Sequence, residues 1–459
     1  MSLIKPLTAG TLDPQFGSEG VVPLPFQDVG GTARVVLPLL ENRLLIALGT
    51  VAGSPANVVR LNEDGSRDVS FGVGGVAEII FPQNKQFAPT QLLPTTKGGW
   101  VVAGHIADID RVSEVAAVRF GPDGQPDPDF GDKGIAIINV YDLLGIHTNV
   151  KFVTPSQYLV GDQRPAVETG VGRGPCTTVQ SNGSVVLLGD LFYGEDDFQG
   201  IVIRLTEKGL LDLSFNSTGF VLVEIPEVER RWNSVGGVAV QADGKVLIVG
   251  SYSHAEDGKL SAYVIRYDTQ GQFDLQFGGN KNGLFSITQQ QARGFSFGAL
   301  TLTPGINGVE GILASGWYQP FESSADKGLI TLINHDGSFN CVFNNGQPLF
   351  TQLMPKGELW LGVGLQQNLA GQAVAIIVSG QSFSDSADEA LWLVAARYLM
   401  DGSQDMSFGI DGFVRFNDSK AFVIFQDGAV TIDNKVVMSG YALIDFSEPI
   451  SGYVVRYLG

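Results

Sequence analysis

The chain has 459 residues, of which 44% are apolar and only 17% charged, with 59 glycines and a formal net charge of −19. So acidic a protein excludes a nucleic-acid backbone or an anionic membrane as its main partner, because both require basic side chains that displace counterions. Length alone would allow two or three domains, but a glycine-rich, weakly charged composition suits many short strands joined by tight turns, and repeat architectures break the length rule.

No apolar run is long enough to span a membrane, and Met1 to Pro6 lacks the apolar core of a secretion signal. The compartment is left open between the cytoplasm and export by a route without a cleaved signal. Cys176 and Cys341 are the only cysteines. Two cannot make a disulfide framework or a Cys-x-x-Cys motif, and both are read as free thiols.

In chain order, the first distinctive feature is Asp13-Pro14-Gln15-Phe16, followed by glycines and the apolar run Val21 to Leu24. The same signature returns at Asp68 to Phe71, Asp127 to Phe130, Asp212 to Phe215, Asp274 to Phe277, Asn340 to Phe343 and Asp405 to Phe408. Successive signature phenylalanines are 55, 59, 85, 62, 66 and 65 residues apart. One such unit holds about four strands with their turns, the size of a propeller blade.

The unit ending at Phe277 reads almost directly. Strand A is expected at Gly237 to Gln241, a turn at Asp243-Gly244, strand B at Val246 to Gly250, and strand C at Ala262 to Tyr267. A second turn at Gly271 and the signature lead to strand D at Gly283 to Ile287. Glycine and Asp-Gly pairs tolerate the positive φ of tight hairpins, which is why they punctuate the apolar runs. At the C-terminus, Ala429 to Ile432, Val436 to Gly440 and Tyr453 to Tyr457 supply only A, B and C. Val21 to Leu24 is expected to provide the missing D strand. The sequence therefore predicts an all-β, seven-bladed β-propeller of four-stranded blades, one domain over residues 1–459, closed by its own N-terminal strand.

The repeated Gly-x-x-Asp-x-x-Phe-Gly, with a strand C whose arginine lies five residues before that glycine, resembles the bacterial delta-60 repeat family over nearly the whole chain. The resemblance implies a β-propeller; the family's function is largely unknown, so it transfers no catalytic residue.

Copies within the chain separate scaffold from site. Arg60, Arg119, Arg204, Arg266 and Arg397 stand five residues before the turn glycine, and Arg456 takes that place beside Gly10 once the ring closes. The remaining copy has Leu332, and it is also the one whose signature aspartate is replaced, by Asn340. Arginine and aspartate are lost together, which predicts structural pairs joining these arginines to Asp13, Asp68, Asp127, Asp212, Asp274 and Asp405.

Variation gathers in the B–C and D–A loops, which share one face of a propeller. The B–C loops bring Asp108, Asp110, Glu114, Glu195, Asp196, Asp197, Glu256, Asp257, Glu322, Asp326, Asp385, Asp388, Glu389, Asp445 and Glu448 to one rim. Aromatics lie nearby at Phe192, Tyr193, Tyr252, Trp317, Tyr318, Phe321 and Tyr441. Tyr193, Tyr252, Trp317, Tyr318 and Tyr441 are candidates to stack on a sugar or a cationic partner. Asp196, Asp197, Asp385 and Asp388 are the weak candidates for a hard cation such as Ca²⁺; no other cofactor is expected. The interval of 85 implies a long insertion, 142–177, in the D–A connection of the third blade, bringing His147, Arg164 and Arg173 as further ligand candidates.

The histidines His105, His147, His254 and His335 form no metal-ligand motif, and neither a Gly-x-Ser-x-Gly elbow nor a His-Glu-x-x-His sequence is present. The sequence thus points first to a non-catalytic, monomeric recognition propeller for a protein or glycan. Its alternative is a hydrolase or lyase using carboxylate and histidine near the central channel.

Overall fold

The computed structural model describes residues 8–49, 55–81, 85–108, 111–145, 150–153, 177–194, 197–228, 232–253, 259–288, 292–304, 310–321, 325–383, 391–417, 422–443 and 451–459, the side chains of 107, 108, 111–113, 151–153 and 194 excepted. The strands form seven antiparallel sheets. The first blade comprises Thr32–Pro38, Leu44–Gly49, Ala56–Leu61 and Val76–Ile79, and the second Gln86–Pro94, Trp100–Asp108, Arg111–Phe120 and Ile135–Asn139. In the fourth, Asn233–Val240, Val246–Ser253, Leu260–Tyr267 and Leu284–Ile287 follow one another. The fifth has Ala292–Thr303, Gly311–Pro320, Lys327–Ile333 and Leu349–Thr351, and the sixth Glu358–Gln367, Ala373–Phe383, Leu391–Leu399 and Phe413–Phe416. The seventh joins Phe422–Val430, Val436–Leu443 and Ser451–Tyr457 to Val21–Leu24, which pairs Val21 with Val455 and Leu24 with Gly452. The ring closes as the sequence predicts.

Each strand A touches the strands A of its two neighbours, so these seven strands line the central channel. Strand A is longer than expected. It begins at Asn233 rather than Gly237 in the fourth blade, and at Phe422 rather than Ala429 in the seventh. The reason is a β-bulge that breaks the inside–outside alternation. Arg34, Thr90, Gly236, Gly298, Leu361 and Gln426 each fall between paired residues of strand A. Beyond the bulge the alternation is out of phase, and the eye follows only one half. Opposite the bulge, strand B carries glycine where the backbones close in: a Cβ on Gly250, Gly316 or Gly380 would lie 1.9 Å from a strand-A carbonyl oxygen.

In the third blade strand A comes in two pieces. Lys151–Val153 pairs with Phe192 to Asp190, and Thr177–Val179 with Leu187 to Val185. A short helix, Val140–Leu144, precedes the first piece. The extra residues therefore interrupt strand A at the level where the other blades place their bulge, and do not simply lengthen the D–A connection ahead of it. Residues 154–176 lie outside the described residues.

The signature is a latch between blades. Each signature phenylalanine is nearly or fully buried, in one of seven apolar clusters that each fill one blade–blade interface. The residue after it donates its backbone N–H to the C–D turn of the next blade, at 2.7–3.0 Å, in all seven places, from Gly17 to Asp64 around to Gly409 to Ala9. The turn glycine of that next blade has positive φ and packs on the ring; a Cβ on Gly271 would lie 3.0 Å from Phe215, so the position needs glycine for both conformation and space.

All six predicted arginine–aspartate pairs form, with Nε 2.8–2.9 Å from the carboxylate. Each guanidinium also lies over its own blade's signature ring, 4.1–4.9 Å from the centroid. Five of them additionally donate to a carbonyl in the next blade: Arg60 to Pro122, Arg119 to Glu207, Arg204 to Thr269, Arg266 to His335 and Arg456 to Glu63. In the fifth blade Leu332 packs in the cluster of Phe343, and Asn340 keeps the uncharged part of the aspartate's role by accepting the amides of Val342 and Phe343.

Candidate functional site

The B–C/D–A face holds the sequence candidates, and the structure sorts them by burial. Trp317, 7% exposed, packs with Leu359 and Leu361; Tyr252, 4% exposed, lies among Val235 and Tyr263; Tyr441 is 5% exposed. These three rings belong to the core and present almost no face to a ligand. Tyr318 is half-buried, stacked on Phe295 at 5.0 Å and against Phe350 at 4.7 Å. Phe321 is exposed at the fifth B–C loop, with the ammonium of Lys259 5.7 Å from its ring.

Tyr193 adjoins a further group of aromatic residues in sequence. At the end of strands B and C of the third blade, Phe192 and Phe198 pair at 4.8 Å, and Phe198 meets Trp232, from the connection into the fourth blade, edge-on at 6.2 Å. The Tyr193 hydroxyl donates to Gln199 at 3.4 Å. All four rings are half-buried, and Tyr193 packs on the other side of the blade, against the cluster of Val101, Leu187 and Leu191. Sequence reading named Phe192 and Tyr193 but missed Phe198 and Trp232. The signal was available: a tryptophan directly before a strand A, on the same face as an aromatic B–C hairpin.

A second polar grouping sits on the channel wall. The bulge of the first blade turns Arg34 towards the seventh, where its Nη1 donates to the Gln426 side chain at 2.9 Å and its guanidinium lies 5.2 Å from the Tyr441 ring centroid. His105, buried on strand B of the second blade, is held to a pKa of about 4 by burial and by the positive charge of Arg34. It is neutral at physiological pH. Among the described residues no carboxylate pairs with Arg34.

The buried acids of this region are committed to the scaffold. Asp427 accepts the amides of Val36 at 3.0 Å and Gly428 at 2.8 Å, and burial pushes its carboxyl up to about 7 despite those bonds. Asp190 accepts the Ser234 hydroxyl at 2.6 Å and the Val235 amide at 2.9 Å. Glu358 takes the Thr351 hydroxyl at 2.8 Å and the Leu353 amide at 2.9 Å, and burial raises its pKa. Each acid thus satisfies backbone or hydroxyl donors that a bulge or bend leaves without a strand partner. His335 is likewise structural, bonded to Gln241 at 2.8 Å.

Asp196, Asp385, Asp388, His147, Arg164 and Arg173 lie outside the described residues, as do Cys176, His254 and most of the acidic B–C rim. Asp197 opens strand C of the third blade. Among the described residues no three His, Cys, Asp or Glu side chains are placed to hold a metal ion. No helix is long and apolar enough to cross a membrane.

The chain is similar, at residues 49–71, 98–130 and 241–277, to a β-propeller domain family of unknown function, DUF5122. These stretches run from strand B or its preceding turn to the signature phenylalanine of the first, second and fourth blades. No curated protein matches the chain. Among solved structures, similarities include a polysaccharide lyase, Uly1 (TM-score 0.45, 11% identity, covering 93% of this chain and 90% of that one). An α-L-arabinofuranosidase, Arb93A from Fusarium graminearum, has TM-score 0.42 and 10% identity over 87% and 98% of the chains. Virginiamycin B lyase from Staphylococcus aureus has TM-score 0.41 and 7% identity over 95% and 99%. Likenesses this distant carry no argument about activity.

Proposed function

We propose that the chain is a delta-60-type recognition propeller that binds a glycan or protein partner on its B–C/D–A face without transforming it, acting as a monomer and without a cofactor. The observation that carries this reading is the half-buried aromatic group Phe192, Phe198 and Trp232. Flat apolar faces edged by hydrogen-bonding groups suit sugar rings or aromatic and cationic side chains of a protein. The net charge of −19 turns nucleic acid away. On a glycan array, the protein should retain a defined set of sugars, and Trp232→Ala should weaken retention at least tenfold with an unchanged melting profile. An array with no binding at all moves the partner to a protein. Binding indifferent to Trp232→Ala removes this platform from the reading.

The alternative, a hydrolase or lyase, draws on a different observation: the buried His105 lies near the guanidinium of Arg34 on the channel wall. A neutral imidazole beside a guanidinium has the components to move a proton near an anionic group. Consumption of a bound glycan, lost in His105→Ala while binding persists, would establish the enzyme over the recognition module.

A further inference from the structure

The A–B/C–D face, opposite the B–C/D–A face, contains a cavity of about 580 Å³ lined by the A–B turns of the first, second and seventh blades and by Leu365 and Gln367 of the sixth. This is within the range of small-molecule sites. Three features set it apart from the rest of the latch face. Its accessible apolar wall includes Leu39 and Pro94, with Leu40 and Ile432, both 68% exposed, while Leu45 and Trp100 form its buried floor. Its charged lining residues, among those described, are Arg43 and Arg60, with no carboxylate, in a chain holding 48 acids against 29 bases. The turn that supplies Arg43 departs from the repeat: Glu41 and Asn42 both have positive φ, 60° and 54°, without glycine.

The repeat shows what Arg43 could have been. At the residue before strand B, Lys245 and Lys435 sit 3.1 and 3.3 Å from their own blades' signature aspartates, Asp274 and Asp13. Arg43 holds back from its counterpart, Asp68, at 3.9 Å, and its closer partner is the exposed Glu41 at 3.1 Å. Its Nε is shielded from solvent yet donates to no described residue. Arg60 is already bound to Asp68 and Pro122, so Arg43 is the cation with donors to offer. Left-handed backbone at consecutive non-glycine residues costs free energy and persists where surroundings impose it, often at ligand clamps.

We propose that this cavity is a binding site for an amphipathic monoanion: an apolar aliphatic or aromatic body against Leu39, Leu40, Pro94 and Ile432, with its carboxylate on Arg43. An apolar wall with one available guanidinium selects such a molecule over a sugar or a cation, since a neutral polar ligand would lose hydration there and a cation would meet two arginines.

Calorimetric titration of the full chain with 1-naphthoate, octanoate and the matched cation 1-naphthylmethylammonium tests it. Naphthoate and octanoate should bind and raise the melting temperature, and the ammonium should do neither. Ile432→Asp, at an exposed position, and Arg43→Gln, at a half-buried one, should each weaken carboxylate binding about tenfold or more while leaving the ligand-free melt in place. Absence of binding by both carboxylates, equal binding of the ammonium, or affinities untouched by both substitutions would overturn the site. The test is independent of the opposite face, so failure of one reading leaves the other standing.

Discussion

The inter-blade latch makes a quantitative prediction that the fifth blade has already sketched. In the third blade Arg204 and Asp212 pair at 2.8 Å, with side chains 6% and 18% exposed, and no lysine joins them. Arg204 also reaches Thr269 of the fourth blade at 2.8 Å and Ser214 at 3.0 Å. Asp212→Asn keeps an acceptor for the Ser214 amide and removes the charge, leaving a buried guanidinium without its counterion. Breaking a fully buried pair costs about 3–5 kcal/mol. Asp212 retains some contact with water, so about 2–3 kcal/mol is expected here.

Arg204→Leu should cost a similar amount, by stranding the aspartate and losing the bond to Thr269. The double variant reproduces Leu332 and Asn340, so it should cost far less than the sum, with a coupling free energy of at least about 2 kcal/mol. Urea midpoints are the appropriate assay. In a ring of this length each kcal/mol moves the melting temperature by only about 1 °C if the blades melt together. Additive single effects, with no recovery in the double variant, would refute the view that Leu and Asn replace the pair as a unit.

Deleting residues 1–24 removes Phe16, Val22 and Leu24, all below 5% exposed, and bares the edge of Ser451–Tyr457; at about 2–3 kcal/mol for each buried side chain the seventh blade should unravel, seen as a lower urea midpoint and concentration-dependent association. Stability should also show two opposite pH windows. Burial alone would raise Asp13, Asp212, Asp274 and Asp405, but turn amides with arginine, and lysine or serine neighbours, outweigh it and hold them below 3.8, so their contribution is complete above that value and is lost as pH falls through the depressed values. Asp427 works the other way: raised to about 7, it disfavours folding increasingly as pH climbs from 3.8 to about 7, so Asp427→Asn should compare better with the native protein at pH 8 than at pH 5. A pH-independent difference between the two proteins would contradict that assignment. Chelator should leave the melting temperature unchanged; a fall would place a structural cation on the acidic rim.

What the sequence disclosed and what it withheld follow from the same repetition. Seven copies in one chain make the blade count, the ring closure and the arginine–aspartate pairs readable, because the joint loss at Leu332 and Asn340 acts as an internal control. Interactions that cross from one blade to the next are not readable in this way. Arg204 bonding to Thr269, or Phe215 lying under Gly271, joins residues about sixty positions apart whose contact depends on how blades stack. The same limitation misplaced the aromatics: whether Trp317 or Tyr441 faces solvent depends on a bulge that shifts the side-chain phase of the neighbouring strand A, and a bulge residue such as Leu361 or Gln426 has no distinctive identity. Trp232 was overlooked because it precedes a strand whose start the bulge conceals.

In a ring of equivalent units, departures from the repeat are informative only when packing fails to account for them. Leu332 with Asn340 departs from the pattern, but an apolar side chain near the Phe343 ring and an amide capping the same turn replace the lost pair, so that site needs no ligand to explain it. The turn from Leu39 to Arg43 is different in kind. Two left-handed residues without glycine cost free energy, Arg43 stands off the aspartate that its lysine counterparts approach, and its Nε finds no acceptor within the described structure. Nothing in the latch requires this, since the fourth and seventh blades build the same turn with one left-handed residue and a closed lysine–aspartate contact. A shape that folding does not need, facing a cavity lined by arginine in an acidic protein, is where a second ligand should be sought, on the face whose repetition first made it look purely structural.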